Sequence, residues 1–210
     1  MYVNHNSSHK QYCRELIGNI VKEYPRNTMK PVTVFTMPST NFALEKEISI
    51  LPKTKIICAE NDLQVYNQQL KSEGYKEVRR NKIHDQFILC FQDAFEVLRA
   101  VFYKYNIIWL DLCGSLNIGN LNNILSLVQS DNIAEDCYIG ITLLKGREWN
   151  LDKMIEFYGF KNIQEFRKEG LQTLITEFAK QKNRKCTLIT RYDYRDKSPM
   201  SMYIFRITNI

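Results

Sequence analysis

Residues 87–114 read FILCFQDAFEVLRAVFYKYNIIWLDLCG, and this stretch decides the fold. FILCF and IIWLDL are short, nearly continuous apolar runs of strand length. Between them, Ala94 to about Tyr105 has the amphipathic pattern of a helix. A strand, a helix and a second strand in so few residues make a βαβ unit, which requires parallel strands. Strands apolar on both faces are buried on both, as in a sheet with helices on either side.

The pattern extends in both directions. Upstream, Lys10–Tyr24 carries Tyr12, Leu16, Ile20 and Val21 at helical spacing, and Pro25 is expected to end that helix. PVTVFTM (31–37) and KIICAEN (55–61) read as strands, with the helix FALEKEISIL between them, capped by Thr40 or Asn41. Glu45 and Glu47 in its early turns suit the positive helix end. Asp62 is the expected N-cap of LQVYNQQLKSEG, Gly74 its stop, and the basic YKEVRRNKIHD an exposed irregular segment. Downstream, SLNIGN reads as a turn, Leu121–Gln129 as a helix, CYIGITLL (137–144) as a strand, and Leu151–Lys180 as two helices broken near Gly159. KCTLITRYDY, the turn RDKSP and MSMYIFRIT form a terminal hairpin. The expected architecture is a Rossmann-like three-layer α/β sandwich with a mainly parallel sheet and a C-terminal antiparallel β-hairpin. A helical segment (1–30) would precede the α/β domain (31–210).

Composition narrows the classes. With 44% hydrophobic and 25% charged residues, 210 residues can build one sizeable core. No apolar run is long enough to span a bilayer, and the N-terminus lacks a signal-type apolar core. Six scattered cysteines without a CxxC pair, and no histidine beside a cysteine pair, point to a reduced, cytoplasmic, metal-free protein. The net charge of +6 permits attraction to nucleic acid without requiring it.

Three acidic residues close three successive strands: Glu60 in IICAEND, Asp93 in CFQDAFEVL and Asp111 in IIWLDLCG. With the element order, these motifs resemble the class I S-adenosylmethionine-dependent methyltransferases over roughly Lys30 to Ile210. The resemblance implies S-adenosylmethionine as cofactor. Glu60 would accept from the ribose hydroxyls, and Asp93 and Ala94 would lie beside adenine. Asp111 would face the methyl-transfer site. It also implies a backbone approach to the cofactor's amino-acid end after the first strand. That family carries a glycine-rich turn there; this chain has FTMPSTNFALE, where Ser39 and Thr40 are the available donors. After Asp111 the chain reads Leu-Cys-Gly, without the Pro-Pro-aromatic element of amino-methylating nucleic-acid enzymes. Cys113 also lacks the preceding proline of the cytosine-C5 enzymes, so an inert thiol at a strand-to-loop corner is the alternative there.

Each acidic residue has a second reading: Glu60 as a solvated carboxylate near a helix start, Asp93 as an N-cap, Asp111 as a charge at a strand end. The basic stretches Lys76–Lys82 and Lys180–Lys185, with Arg191, Arg195 and Lys197, could track phosphates, and Tyr192, Tyr194 and Tyr203 could stack on bases. The same residues also suit an ordinary solvated surface. Two functions therefore remain: a divergent methyltransferase, with nucleic acid reached through the basic rim as one acceptor class, or an inactive module of that fold binding nucleic acid or a protein partner.

Overall fold

The apolar runs become strands of one hydrogen-bonded sheet with the order β3-β2-β1-β4-β5-β7-β6. The computed structural model describes residues 7–28, 30–82, 86–100, 103–149, 151–195 and 198–210. Contacts divide the chain into two units, Met1–Asp111 and Leu112–Ile210.

The first unit runs α1 (Ser8–Thr28), β1 (Val32–Thr36), α2 (Ala43–Ser49), β2 (Thr54–Glu60), α3 (Leu63–Lys71), α4 (Glu73–Asn81), β3 (Phe87–Phe91), α5 (Ala94–Arg99) and the start of β4 (Tyr105–Asn117). β1 pairs in parallel with both β2 and β4, and β2 in parallel with β3. Val34, Phe35, Ile56, Ile107 and Ile108 are fully buried, as expected of strands covered on both faces.

Four local readings change. Helix α1 continues past Pro25 to Thr28. The basic segment after Gly74 is helical: Ser72 ends α3 and caps α4, its hydroxyl accepting from the Tyr75 N–H at 3.1 Å. Gly74 therefore lies inside α4 instead of stopping α3. Neither Thr40 nor Asn41 caps α2; Phe42 stands at that position in a left-handed conformation (φ 52°) with no side-chain cap. Helix α5 ends at Arg99, and Tyr105 already opens β4.

The second unit holds the rest of β4, α6 (Ile118–Gln129), β5 (Ile133–Trp149), α7 (Asp152–Phe157), α8 (Ile163–Glu165), a π-helical turn (Phe166–Gly170), α9 (Leu171–Lys180), β6 (Arg184–Arg195) and β7 (Pro199–Asn209). SLNIGN is not a turn: β4 continues through Cys113 and Gly114 to Asn117, whose side chain caps α6 at the Asn120 N–H. Cys113 thus lies within a strand, not at a corner. β6 and β7 form the expected antiparallel hairpin, and β7 pairs antiparallel with β5. A bulge between Leu188 and Thr190 shifts the β6 register, leaving Leu188 and Arg191 opposite Phe205 and Tyr203. The turn residues Asp196 and Lys197, and His84 of the basic segment, lie outside the described residues. Among the described residues no helix is long and apolar enough to cross a membrane.

Candidate functional site

The parallel register sets the carboxyl ends of four strands against one another. Thr36 pairs with Cys58 and Glu60 with Phe91, so counting on two residues brings Pro38 level with Glu60. Phe35 pairs with Ile108, which brings Asp111 level with Pro38. Glu60 ends β2, whereas Asp111, expected at a strand end, lies inside β4, which runs on to Asn117; the two stand on the strands flanking β1, and two strand spacings put their backbones roughly 10 Å apart. β1 is where the strand order reverses, and in open α/β sheets the crevice outside such a point takes the ligand.

The loop from Met37 to Phe42 approaches this crevice without a glycine of its own. Phe42 supplies the left-handed turn, a conformation unfavourable for a residue with a Cβ. Packing offsets that cost: Phe42 is fully buried, with its ring centroid 5.9 Å from Tyr75 and 6.0 Å from Phe87. The close backbone approach is made possible from outside the loop. A Cβ on Gly74 of α4 would collide with the Asn41 carbonyl oxygen, so only glycine lets that carbonyl in. Within the loop the Ser39 hydroxyl donates to Asn41 Oδ1 at 2.6 Å, and half-buried Thr40 follows it.

Glu60 is half-buried. One oxygen accepts from the Asp62 N–H at 2.8 Å, and the other lies 3.5 Å from Gln69 Nε2. Burial pushes its carboxyl above the ordinary 4.5; the Asp62 and Asn61 N–H groups pull it down, the Asp62 charge raises it and Gln69 lowers it. Asp62 caps α3 through the Gln64 and Val65 N–H groups. Asp93 caps α5, accepting from Phe95 N–H at 2.9 Å and Glu96 N–H at 3.2 Å, with Ala94 buried behind it. Its second oxygen keeps acceptor capacity while the first caps the helix. Asp111 is half-buried in β4. Gln69 and Phe42 escaped the sequence reading, and Gly74 was expected only as the stop of α3; no local signal in α3 or α4 points to the loop they meet.

In the second unit, Asp193 of β6 accepts from Lys145 at 2.8 Å and from the Ser201 hydroxyl at 2.6 Å, and pairs with Arg191 at 3.2 Å. Burial works to raise its carboxyl, but these donors hold it below the ordinary 3.8. Arg191 also donates to the Lys168 carbonyl in the π turn at 2.7 Å and lies over the Tyr203 ring. Tyr194 and Tyr203 are buried, which leaves Tyr192 as the half-exposed ring of the three. A pocket beside this cluster, edged by Leu116, Leu143, Phe166 and Leu171, has a volume of about 30 Å³, room for a water or two and not for a cofactor. Among the described residues no group of three or more His, Cys, Asp or Glu side chains is placed to hold a metal ion.

No family model and no curated protein matches the chain. Solved structures do. Trm1 from Pyrococcus horikoshii, in complex with S-adenosyl-L-methionine, superposes with a TM-score of 0.61 at 12% identity, covering 99% of this chain and 56% of its own. TYW2 from the same organism, in complex with MeSAdo, gives 0.55 at 13% identity, over 100% and 65%. The plantazolicin methyltransferase BamL, in complex with a triazolic desmethylPZN analog and SAH, gives 0.56 at 13%, over 94% and 84%.

The fold is that of the class I methyltransferases. The chain spans less than two thirds of the TYW2 and Trm1 chains it resembles. At such identities the likeness speaks for the fold, and the acceptor must be argued from the chain's own residues.

Proposed function

We propose that the chain binds S-adenosylmethionine at the carboxyl ends of β1, β2 and β3 and transfers its methyl group to an acceptor beside Asp111. The observation that carries this reading is the strand order, which reverses beside β1 and sets Glu60 of β2 and Asp111 of β4 on the two strands flanking it, next to the glycine-free loop Met37–Phe42. Glu60 would accept from the ribose hydroxyls, Asp93 and Ala94 would border the adenine, and Ser39 with Thr40 would face the amino-acid end. Once bound, the cofactor supplies an electrophilic methyl group on sulfur. Asp111 would orient the acceptor and take its proton, and proximity and alignment would supply most of the rate.

Titration with S-adenosylmethionine and S-adenosylhomocysteine, by calorimetry and thermal shift, tests this. A bound ligand stabilises by about 2.7 kcal/mol at a hundredfold excess over Kd. We expect a clear shift for the wild type and weaker binding by Glu60→Ala. No heat and no shift at millimolar ligand would sink the reading, and unchanged affinity in Glu60→Ala would remove the ribose assignment.

The second reading is a module of this fold without catalysis. It draws on Glu60 Oε1, already engaged by the chain's own Asp62 N–H. Nucleic-acid binding without cofactor binding would favour it.

A further inference from the structure

We infer that Gln69 is the positioning residue of this nucleoside site: its side-chain amide ties the Pro38 carbonyl to the Glu60 carboxylate and thereby aims that carboxylate. The inference rests on the cofactor reading above. Gln69 lies on α3 and is fully buried. Its Nε2 donates to the Pro38 oxygen at 2.8 Å and reaches Glu60 Oε2 at 3.5 Å. Pro38 and Glu60 stand level at the ends of β1 and β2. One amide group thus spans the glycine-free loop and the acidic strand end.

The other end of the same amide argues that this is more than packing. Oε1 of Gln69 is buried with no hydrogen-bond partner among the described residues. Turning the amide over would set Oε1 against a carbonyl and a carboxylate, so the two acceptors fix its orientation. A helix needing only volume here would carry methionine or leucine, which strand no acceptor. The orphaned oxygen is tolerated because the N–H groups opposite are needed. Together with the Asp62 and Asn61 N–H groups they hold the carboxylate in one orientation, with acceptor capacity left for a ribose hydroxyl.

The test is Gln69→Met, which keeps the volume and removes the orphan. We expect it to melt at or above the wild-type temperature while binding S-adenosylhomocysteine about tenfold or more weakly, the usual loss of a hydrogen bond to a charged group. A second readout separates aiming from packing. Affinity should fall on acidification as Glu60 takes up a proton. The charge facing Glu60 is Asp62, and its donors are the Asn61 and Asp62 N–H groups and Gln69. Without Gln69 one of the interactions favouring the carboxylate is gone, so the midpoint of that loss should move to higher pH. A Gln69→Met protein that melts below wild type with an unmoved midpoint assigns Gln69 to the fold and overturns the inference. So does wild-type binding with unchanged Gln69→Met affinity. No binding by the wild type overturns the cofactor reading itself, and this inference with it.

Discussion

Glu45 was expected near the positive end of α2, and it stands in the first turn. It is also 2% exposed, hydrogen-bonded by the Thr36 side chain, with Arg14 exerting a weaker attraction. Glu47, two residues on, does reach the surface and pairs with Lys22 at 2.5 Å. Burial pushes the Glu45 carboxyl above 4.5 and outweighs the Thr36 hydrogen bond, that from its own backbone N–H and the Arg14 attraction. A raised carboxyl favours the folded state while it is neutral. That stability is fully present below the unfolded value near 4.5 and is lost as pH rises through the folded value. Glu45→Gln should therefore gain on the wild type as pH rises, by at most about 1.4 kcal/mol per pH unit within that window, then level off. Urea midpoints of both proteins between pH 4 and pH 8 measure this. A constant difference would mean that the carboxyl is already ionised in the fold. Nothing in FALEKEISIL foretold the burial: an acidic residue in a first turn satisfies the helix-end rule whether or not a neighbouring strand covers it.

At the scale of elements, strands were legible and α4 was not. PVTVFT and KIICAE are long apolar runs because both faces of a parallel strand are covered, and burial writes itself into every position. Helix α4 buries only Gly74 and Val78, so KSEGYKEVRR carries too few apolar positions to show a period. Ser72 makes the helix instead. Its N–H bonds the Gln69 carbonyl to close α3, and its hydroxyl caps α4. Glu73 in the first turn and Arg79 and Arg80 in the last complement the helix dipole. The candidate site followed the same division. Glu60 at the end of β2 and Asp93 just after β3 could be placed from the sequence, while Gln69 of α3 and Gly74 of α4, which meet the Met37–Phe42 loop, leave no local pattern. Gly74→Ala sets two effects against each other. Helix propensity favours alanine by about 1 kcal/mol. The new methyl would strike the Asn41 carbonyl, a backbone group that cannot swing aside, and such overpacking costs about 1–3 kcal/mol. We expect a net loss of stability, seen as a lower Tm, together with weaker S-adenosylhomocysteine binding. A more stable Gly74→Ala protein would show that the loop gives way freely.

Over the whole molecule, the excess of 29 basic over 23 acidic residues gives +6, and what matters is which of these cations can reach a phosphate. Arg191 is committed to Asp193 and the Lys168 carbonyl, and Lys76 to Glu73 at 2.7 Å. The run Lys180–Lys185 differs. It forms the exposed connection from α9 to β6, where Lys180, Lys182 and Lys185 project outward, although Lys180 also meets Glu177 at 2.7 Å. β6 closes one end of the strand order, and charged residues on an edge strand also discourage strand pairing between molecules. The two roles separate in salt. If this rim holds a single strand of nucleic acid, the plot of log affinity against log salt falls with a slope near −0.7 per phosphate contacted. Replacing Lys180, Lys182 and Lys185 together by alanine should flatten that slope by about 1–2 while leaving the unfolding free energy within about 0.5 kcal/mol of wild type. Arg191→Ala should do the reverse: it unties β6 from the π turn, lowering Tm with little change in slope. Equal slopes in the wild type and the triple variant, or no binding at low salt, would remove this rim as a nucleic-acid surface and leave the lysines to solubility and edge protection.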